Sequence, residues 1–406
     1  MAAIATAAAA TLAMLTLAAA LGPATAMAAP PSGEETRALW VVRHALSTPG
    51  RVDQVVDIAS DMHINTLLVQ VRGRGDAYYR SDITPRAEEL GATSPDFDPL
   101  DRIIRRAHAV GLEVHAWINV YLVWSAGAAP QSPLHVVNAD PGWISMRADG
   151  QSLVEMLPED FEDQHLEGMY LAPGNPAVRR HIREVVREIV TRYNVDGIHL
   201  DYVRYPEPTV GYDPATRTAF QREFGVDPLM MDEPDSTFLA VFGADKIPDL
   251  RARWIKWKQD QITNLVRDLK NDLAQLGRGT KLTAAVIADQ IAALNRYGQD
   301  WPAWLREGLV DAAVPMCYGK STAVVERQVE AAMSIPTERQ IWAGIAIYNQ
   351  SARDAAEKIR KARVDGVDGI ALFSYDSLLG RAGYMRQLKT WTLRDPTAPT
   401  AMPWRQ

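Results

Sequence analysis

The stretch VDGIHLDYVRYP (Val195–Pro206) contains the pattern that decides the fold. Alternating apolar residues predict a strand from Asp196 to Val203, on which His199 and Asp201 share one face near the exit. A carboxylate in an apolar strand costs several kcal/mol unless it is paired, ligated or reactive. The sequence therefore predicts a functional role for Asp201.

Similar strands recur on both sides of this stretch, and each is followed by a segment with helical periodicity. This alternation predicts a (β/α)8 barrel over residues 36–392, with long loops after strands two, three and four. A doubly wound open sheet is the alternative, but it usually carries a glycine-rich phosphate loop and we find none. The predicted strands are Ala38–Arg43, Thr66–Arg72, Leu112–Asn119, Asp196–Val203, Lys281–Ala288, Asp311–Tyr318, Ile341–Tyr348 and Asp368–Tyr375. The clearest predicted helices are Val52–His63, Pro176–Tyr193, Arg253–Leu276 and Ser351–Val364.

The composition argues against several classes of function. The chain has 406 residues, with 43 Lys and Arg against 50 Asp and Glu, so its formal charge is −7. A mildly acidic chain without a long basic run is not typical of a nucleic-acid binder. A single cysteine, Cys317, cannot form an intrachain disulfide or a cysteine zinc site, and its apolar strand predicts a buried thiol. No cofactor is expected.

Both ends of the chain differ from the barrel in composition. Residues 1–29 lack charge, contain an apolar run and end in small-residue tripeptides, which predicts a cleavable signal peptide. A membrane anchor is the alternative for this segment. We expect a secreted or periplasmic protein with no stable membrane anchor after cleavage. Residues 393–406 are rich in proline and threonine and are predicted to be a loose tail.

In a barrel, the exits of the strands meet at one mouth, where polar side chains form the functional site. The third predicted strand places His115, Trp117 and Asn119 on one face, and the second places Gln70 and Arg72 on one face. Rings and amides at a mouth suit sugars, because rings stack on C–H faces and amides bind hydroxyls. The pattern favours a polysaccharide substrate.

We considered three kinds of site for these residues: a metal site, a serine triad and a pair of carboxylates. A metal site could be formed in principle by His115, His199 and Asp201, which have side chains of the metal-ligand type. The sequence has no paired-histidine motif that would support such a site. A serine triad lacks its nucleophile motif. Paired carboxylates for glycoside hydrolysis fit best. The Asp-Gly pair at Asp196 recurs at Asp368 and is typical of a turn, so a structural role is predicted for Asp196.

Motifs from Arg37 to Tyr375 resemble the glycosyl hydrolase-like family 10 of bacterial cell-envelope proteins. The most specific are AHAVGLEVHAWIN (Ala107–Asn119) and VDGIHLDYVRYP, supported by NTLLVQVRGRGDAYYRSDITP (Asn65–Pro85). The resemblance implies a barrel glycosidase acting on peptidoglycan strands or a related amino-sugar polymer, with Asp201 as its carboxylate. The chain departs from the family where Tyr202 replaces a second acidic residue and where Pro315-Met316 replaces a proline–glutamine pair.

A glycosidase normally needs a second carboxyl group, and no glutamate ends a predicted strand. Asp289 and Asp376 are the candidates at strand ends, with Asp76 behind them, and Asp201 is expected to be the nucleophile or base. A substrate N-acetyl group could replace the second carboxyl. A glycan-binding barrel without catalysis is the alternative from another class. The predicted substrate-binding residues are His199, Gln70, Arg72, Asp76, His115, Trp117, Asn119, Tyr121, Arg204, Tyr205, Tyr318 and Tyr348.

Overall fold

The computed structural model describes residues 33–125, 127–232 and 234–405. Eight parallel strands close into a barrel in the order β1-β10-β9-β8-β7-β6-β3-β2, and β4 and β5 form a separate two-stranded sheet. The predicted barrel is confirmed, and each of its eight strands overlaps a predicted one. The strands are β1 (Thr36–Val41), β2 (Thr66–Arg72), β3 (Glu113–Asn119), β4 (Leu122–Trp124), β5 (Met169–Tyr170), β6 (Gly197–Asp201), β7 (Lys281–Val286), β8 (Ala312–Cys317), β9 (Gln340–Ala346) and β10 (Gly369–Phe373).

The helices surround the barrel and also occupy the long loops after β3 and β6. Over the described residues they are α1 (Pro49–Asp61), α2 (Pro99–His108), α3 (Val136–Ala139), α4 (Pro158–Asp163), α5 (Pro176–Arg192), α6 (Pro214–Phe224), α7 (Ser236–Phe242), α8 (Ile247–Leu276), α9 (Gln290–Tyr297), α10 (Trp301–Arg306), α11 (Thr322–Met333), α12 (Ala352–Val364) and α13 (Ala382–Thr392). Helix α5 begins as its sequence predicts, because the Asn175 side chain accepts the Ala177 N–H and Pro176 occupies the first turn.

The barrel interior is filled by side chains from alternate strand positions. Large rings dominate it, including Trp40 from β1, Trp117 from β3 and Trp342 from β9. Smaller residues on the facing strands leave room for them. Gly344, for example, lies against Trp40, whose ring would be 3.1 Å from a Cβ at that position. The interior of the barrel is therefore a packed core and not a channel.

Aspartates at the strand entrances stabilise the opposite end of the barrel. Asp196 accepts the Val114 N–H at 2.7 Å, Asp311 accepts the Leu282 N–H at 2.8 Å, and Asp368 accepts the Ile341 N–H at 2.9 Å. Each carboxylate thus satisfies a backbone donor of the neighbouring strand. Asp196 and Asp368, which belong to the repeated Asp-Gly pairs, thus have structural contacts with neighbouring strands.

The C-terminal segment differs from its prediction as a loose tail. Met402 and Trp404 pack against the interior side chains at the entrance end of the barrel. The Trp404 indole N–H and the Arg405 guanidinium both donate to the Asp311 carboxylate, at 2.9 and 2.8 Å. Buried apolar surface and charge-assisted hydrogen bonds outweigh the low intrinsic order of a Pro/Thr-rich segment. The tail therefore closes the floor of the barrel.

The predicted signal peptide, residues 1–29, lies outside the described residues. Within the described part of the chain, no helix is both long and apolar enough to cross a membrane.

One glycine of β6 is required by the packing of the interior. A Cβ on Gly197 would lie 2.6 Å from the His115 ring, which is itself fully buried. We expect Gly197→Ala to lower the free energy of unfolding by about 1–3 kcal/mol, because overpacking displaces the ring. Chemical denaturation measures this change. Gly383→Ala is the control, since nothing lies within 4 Å of its added Cβ; equal stability of the two variants would contradict the packing argument.

Candidate active site

A cavity of about 360 Å³ opens at the barrel mouth, where the exits of the strands converge. Six of the sequence-predicted site residues line it: Gln70, Trp117, Asn119, Asp201, Arg204 and Tyr318. The structure adds lining residues that sequence reasoning missed, among them Trp40, Arg43, Ser125, Glu167, Tyr202 and Phe373. The cavity thus combines two carboxyl groups, two guanidinium groups and several aromatic rings.

Asp201 ends β6 with its carboxyl group almost out of contact with solvent, at 7% exposure. Burial raises the pKa of Asp201 to about 6, although Arg204 and the Tyr202 N–H lower it. That N–H donates to the Asp201 carboxyl at 2.7 Å, and Tyr202 adopts a left-handed backbone conformation with φ of 50°. The strained turn aims an amide at the carboxyl group. Asp201 is therefore poised to exchange a proton in mildly acidic solution.

Glu167 is the second carboxyl group of the cavity, and it comes from the loop between α4 and β5. Its side chain is 42% exposed. It accepts a hydrogen bond from Arg204 at 3.1 Å and one from the Tyr170 hydroxyl at 2.9 Å. Glu167 follows no predicted strand, so the sequence pattern does not indicate it as a site residue.

Arg204 connects the two carboxyl groups electrostatically. Its guanidinium pairs with Glu167 and also lowers the pKa of Asp201, for which burial is the largest influence and acts in the opposite direction. It lies over the rings of Tyr202 and Tyr297, at 4.6 and 5.1 Å from their centres. Stacking on two rings fixes a planar cation in one orientation.

A polar network forms one wall of the cavity. The Oδ1 atom of Asn119 accepts the Trp117 indole N–H at 3.1 Å and the Gln70 amide at 3.2 Å, and its own amide donates to the Gly73 carbonyl at 2.8 Å. Every polar atom in this set has a partner, which makes the wall rigid.

His199 lies directly below the cavity and is fully buried. Its Nε2 atom accepts the Trp40 indole N–H at 3.0 Å, so its proton resides on Nδ1, which contacts the Thr283 hydroxyl at 2.9 Å. Burial, with a smaller contribution from His115, holds the pKa of His199 well below its usual range. His115 lies deeper, against the same hydroxyl. His199 thus positions Trp40, and neither histidine lines the cavity.

Arg72 does not share a face with Gln70, contrary to the sequence prediction. A bulge in β2 places Gln70 opposite Trp117, which points inward, but Arg72 opposite Ile118, which points outward. The Arg72 guanidinium is buried outside the barrel and donates to the Asn119 carbonyl at 2.8 Å. The extra residue of a bulge reverses the face of every later side chain.

The remaining predicted residues lie around the cavity or away from it. Asp289 is exposed and caps α9 by accepting the Ala292 N–H, and Asp376 is also exposed; neither lines the cavity.

Tyr348 lies at the rim, where its ring contacts those of Tyr318 and Phe373. Asp76, Tyr121 and Tyr205 are buried beside the cavity rather than in its wall.

The described residues contain no group of three or more His, Cys, Asp or Glu side chains with the geometry of a metal site. Cys317 is buried, and burial raises the pKa of its thiol to about 12. The carboxyl groups that line the cavity, those of Asp201 and Glu167, have aromatic rings and side-chain amides as neighbours.

The sequence profile of the glycosyl hydrolase-like 10 family matches residues 35–361. The chain belongs to this family. Two of its curated relatives are the glycosyl hydrolase YngK of Bacillus subtilis, 24% identical over 324 residues, and the glycosyl hydrolase DigH of Escherichia coli K12, 25% identical over 322 residues. Each alignment covers 72% of this chain, and the chain spans 56% of YngK and 64% of DigH.

Solved structures of glycosidases share the fold. The glycoside hydrolase domain of PgaB (BpsB) from Bordetella bronchiseptica superposes with a TM-score of 0.64 at 15% identity, covering 89% of this chain and 100% of that domain. The β-galactosidase Gan42B superposes with a TM-score of 0.60 at 13% identity, covering 89% of this chain and 57% of the enzyme. These similarities establish the barrel architecture.

The buried carboxyl group of Asp201 has a cost in stability. Its pKa is about 6 in the folded state against about 4 when unfolded, so the folded state binds more protons between these values and stability falls as pH rises through them. We expect Asp201→Asn to raise the free energy of unfolding by about 1–3 kcal/mol at pH 7.5 and to have little effect below about pH 4. Denaturant titrations at both pH values measure this. An equal effect at the two pH values would contradict the raised pKa.

Proposed function

We propose that the protein is an exported glycoside hydrolase that cleaves a bacterial cell-envelope glycan, either peptidoglycan strands or a related amino-sugar polymer. The observation that carries the proposal is the buried Asp201 carboxyl group in a cavity shared with the Arg204–Glu167 pair. Membership of the glycosyl hydrolase-like 10 family supports the reaction class. The predicted signal peptide supports a site of action outside the cytoplasm.

Asp201 serves as the general acid in this proposal, rather than as the nucleophile or base that the sequence suggested. A pKa of about 6 keeps a fraction of the carboxyl groups protonated near neutral pH, as a proton donor to a leaving glycosidic oxygen requires. The turn at Tyr202 holds the group by its backbone N–H. The proton thus passes from Asp201 to the oxygen of the departing sugar.

Glu167 is the second carboxyl group in this proposal, because Asp289 and Asp376 do not line the cavity. Its hydrogen bonds from Arg204 and Tyr170 fix the carboxylate while leaving it accessible to solvent. In this role Glu167 accepts a proton from the water molecule that attacks the anomeric carbon, which completes hydrolysis.

Sugar rings bind between the aromatic walls of the cavity. Trp40, Tyr318 and Phe373 lie edge to face or tilted against one another with centroids 5.4–6.4 Å apart, so they present a continuous apolar surface to C–H groups. The side-chain amides of Gln70 and Asn119 on the neighbouring wall each donate one N–H within the wall, and the second N–H of each is offered to sugar hydroxyls in this proposal.

Removing either carboxyl group tests this assignment. On purified peptidoglycan glycan strands, we expect Asp201→Asn to lower kcat about 10²–10⁴-fold, as loss of general acid catalysis does, and Glu167→Gln to lower it at least about 10²-fold. Release of new reducing ends measures the rate. Asp289→Asn discriminates between the candidates and should retain turnover.

Full activity in Asp201→Asn would refute the assignment. Tight binding of strands by the wild-type protein with no cleavage would instead favour a glycan-binding barrel that lacks catalysis.

The pH profile tests the direction of proton transfer. If Asp201 acts as the acid, kcat/KM falls above about pH 6, about tenfold per pH unit in the limit, because the protonated form is lost. Initial rates from pH 4.5 to 8.5 on one substrate measure the profile. A rise in kcat/KM through pH 6 would assign Asp201 the role of base or nucleophile instead.

A further inference from the structure

Arg43 lies in the cavity wall immediately after β1, and the side chain that binds its guanidinium is Gln70. Its backbone N–H and its Nη1 atom both donate to the Gln70 side-chain oxygen, at 3.3 and 3.2 Å. Gln70 is fixed in turn by its hydrogen bond to Asn119. The polar network of the cavity wall thus supports Arg43.

Gly73 makes room for this arrangement. A Cβ at Gly73 would lie 2.9 Å from Cδ of Arg43 and 3.1 Å from its Nη1 atom, and 3.1 Å from the side chain of Gln70. The Gly73 carbonyl is itself bound by the Asn119 amide at 2.8 Å. The guanidinium therefore packs against the backbone at Gly73, and a Cβ at this position would displace the Arg43 or Gln70 side chain.

Arg43 forms no salt bridge among the described residues. No carboxylate lies within salt-bridge distance of it, whereas Arg204, on the same cavity, is paired with Glu167. Asp76 and Glu89 influence Arg43 only at longer range, and Arg74 adds a like charge. A half-buried cation without a partner is costly and gains most from an anionic ligand.

We infer that Arg43 binds a carboxylate carried by the glycan and so makes the cavity selective for acidic sugars, an inference that rests on the proposed function. A guanidinium fork matches the geometry of a carboxylate better than that of a hydroxyl. Two kinds of sugar supply such a group: the lactyl ether of muramic acid and the C6 carboxylate of a uronic acid. Both present the same planar anion to Arg43.

Binding measured without turnover tests this inference separately from catalysis. We would titrate the full chain carrying Asp201→Asn, by calorimetry, with four oligosaccharides. They are an alternating N-acetylglucosamine–N-acetylmuramic acid oligomer with free carboxylates, the same oligomer with its carboxylates reduced to alcohols, a neutral N-acetylglucosamine oligomer, and a uronic-acid oligomer. We expect one acidic oligomer to bind about 10–100-fold more tightly than the neutral ones, as a charge-assisted bidentate contact provides. The tighter of the two acidic oligomers identifies the source of the carboxylate.

Variants then assign the preference to Arg43. Arg43→Gln should abolish it, Arg43→Lys should retain part of it, and Gly73→Ala should weaken it by displacing the guanidinium without removing the charge. Arg105→Gln is the control, because it removes one positive charge from an exposed pair with Asp101 on α2. Thermal denaturation of each variant checks that the fold is retained.

Equal affinity for acidic and neutral oligomers would overturn the inference while leaving the proposed function intact. A preference that survives Arg43→Gln in a folded variant would also overturn it. Absence of binding by all four oligomers would contradict both the inference and the proposed function.

Discussion

Closure of eight parallel strands into one barrel is the constraint on which the site depends. Because alternate residues of each strand point inward, closure brings side chains from distant parts of the sequence to one mouth. Gln70, Asn119 and Asp201 come from three neighbouring strands and meet there. The interior below them is filled with rings, and the C-terminal tail seals the floor. The cavity at the mouth is therefore lined by side chains that the sheet brings together.

Electrostatics at that mouth follow from burial. Asp201 is nearly excluded from solvent and has a raised pKa, while burial lowers the pKa of His199 beneath it and keeps that ring neutral. Arg204 is fixed between two rings and pairs with Glu167 rather than with Asp201. The two carboxyl groups therefore occupy different environments within one cavity. Such a difference allows one carboxyl group to act as an acid while the other stays ionised.

The sequence predicted most of the fold because barrel strands have a strong local signature. Alternation identified all eight barrel strands and the inward faces of β3 and β6, and with them Trp117, Asn119 and Asp201. The bulge in β2 has no such signature, so Arg72 was assigned to the wrong face. The order of the C-terminal segment was also not predicted. Leu393 is buried there and Trp404 contacts Asp311, and both depend on tertiary packing that the composition of the segment does not reveal.

The role of Glu167 could not be predicted from the sequence. It lies in a long loop whose path is determined by contacts with Tyr170 and Arg204, and nothing in its own neighbourhood marks it as part of the site. Strand ends can be predicted from the sequence, so site residues at strand ends can be predicted too. Site residues on long loops cannot be predicted in this way. The position of Arg204, by contrast, was predictable because it follows β6 closely.

Hydrolysis in water labelled with ¹⁸O tests the central claim most directly. The wild-type protein is incubated with purified peptidoglycan glycan strands in H₂¹⁸O, and the fragments are analysed by mass spectrometry. We expect short fragments in which every new reducing end carries one ¹⁸O atom, while the fragment with the original end of the strand stays unlabelled, and we expect no fragments from the Asp201→Asn variant. Strands that remain intact and unlabelled, or labelled fragments formed equally by the variant, would contradict it.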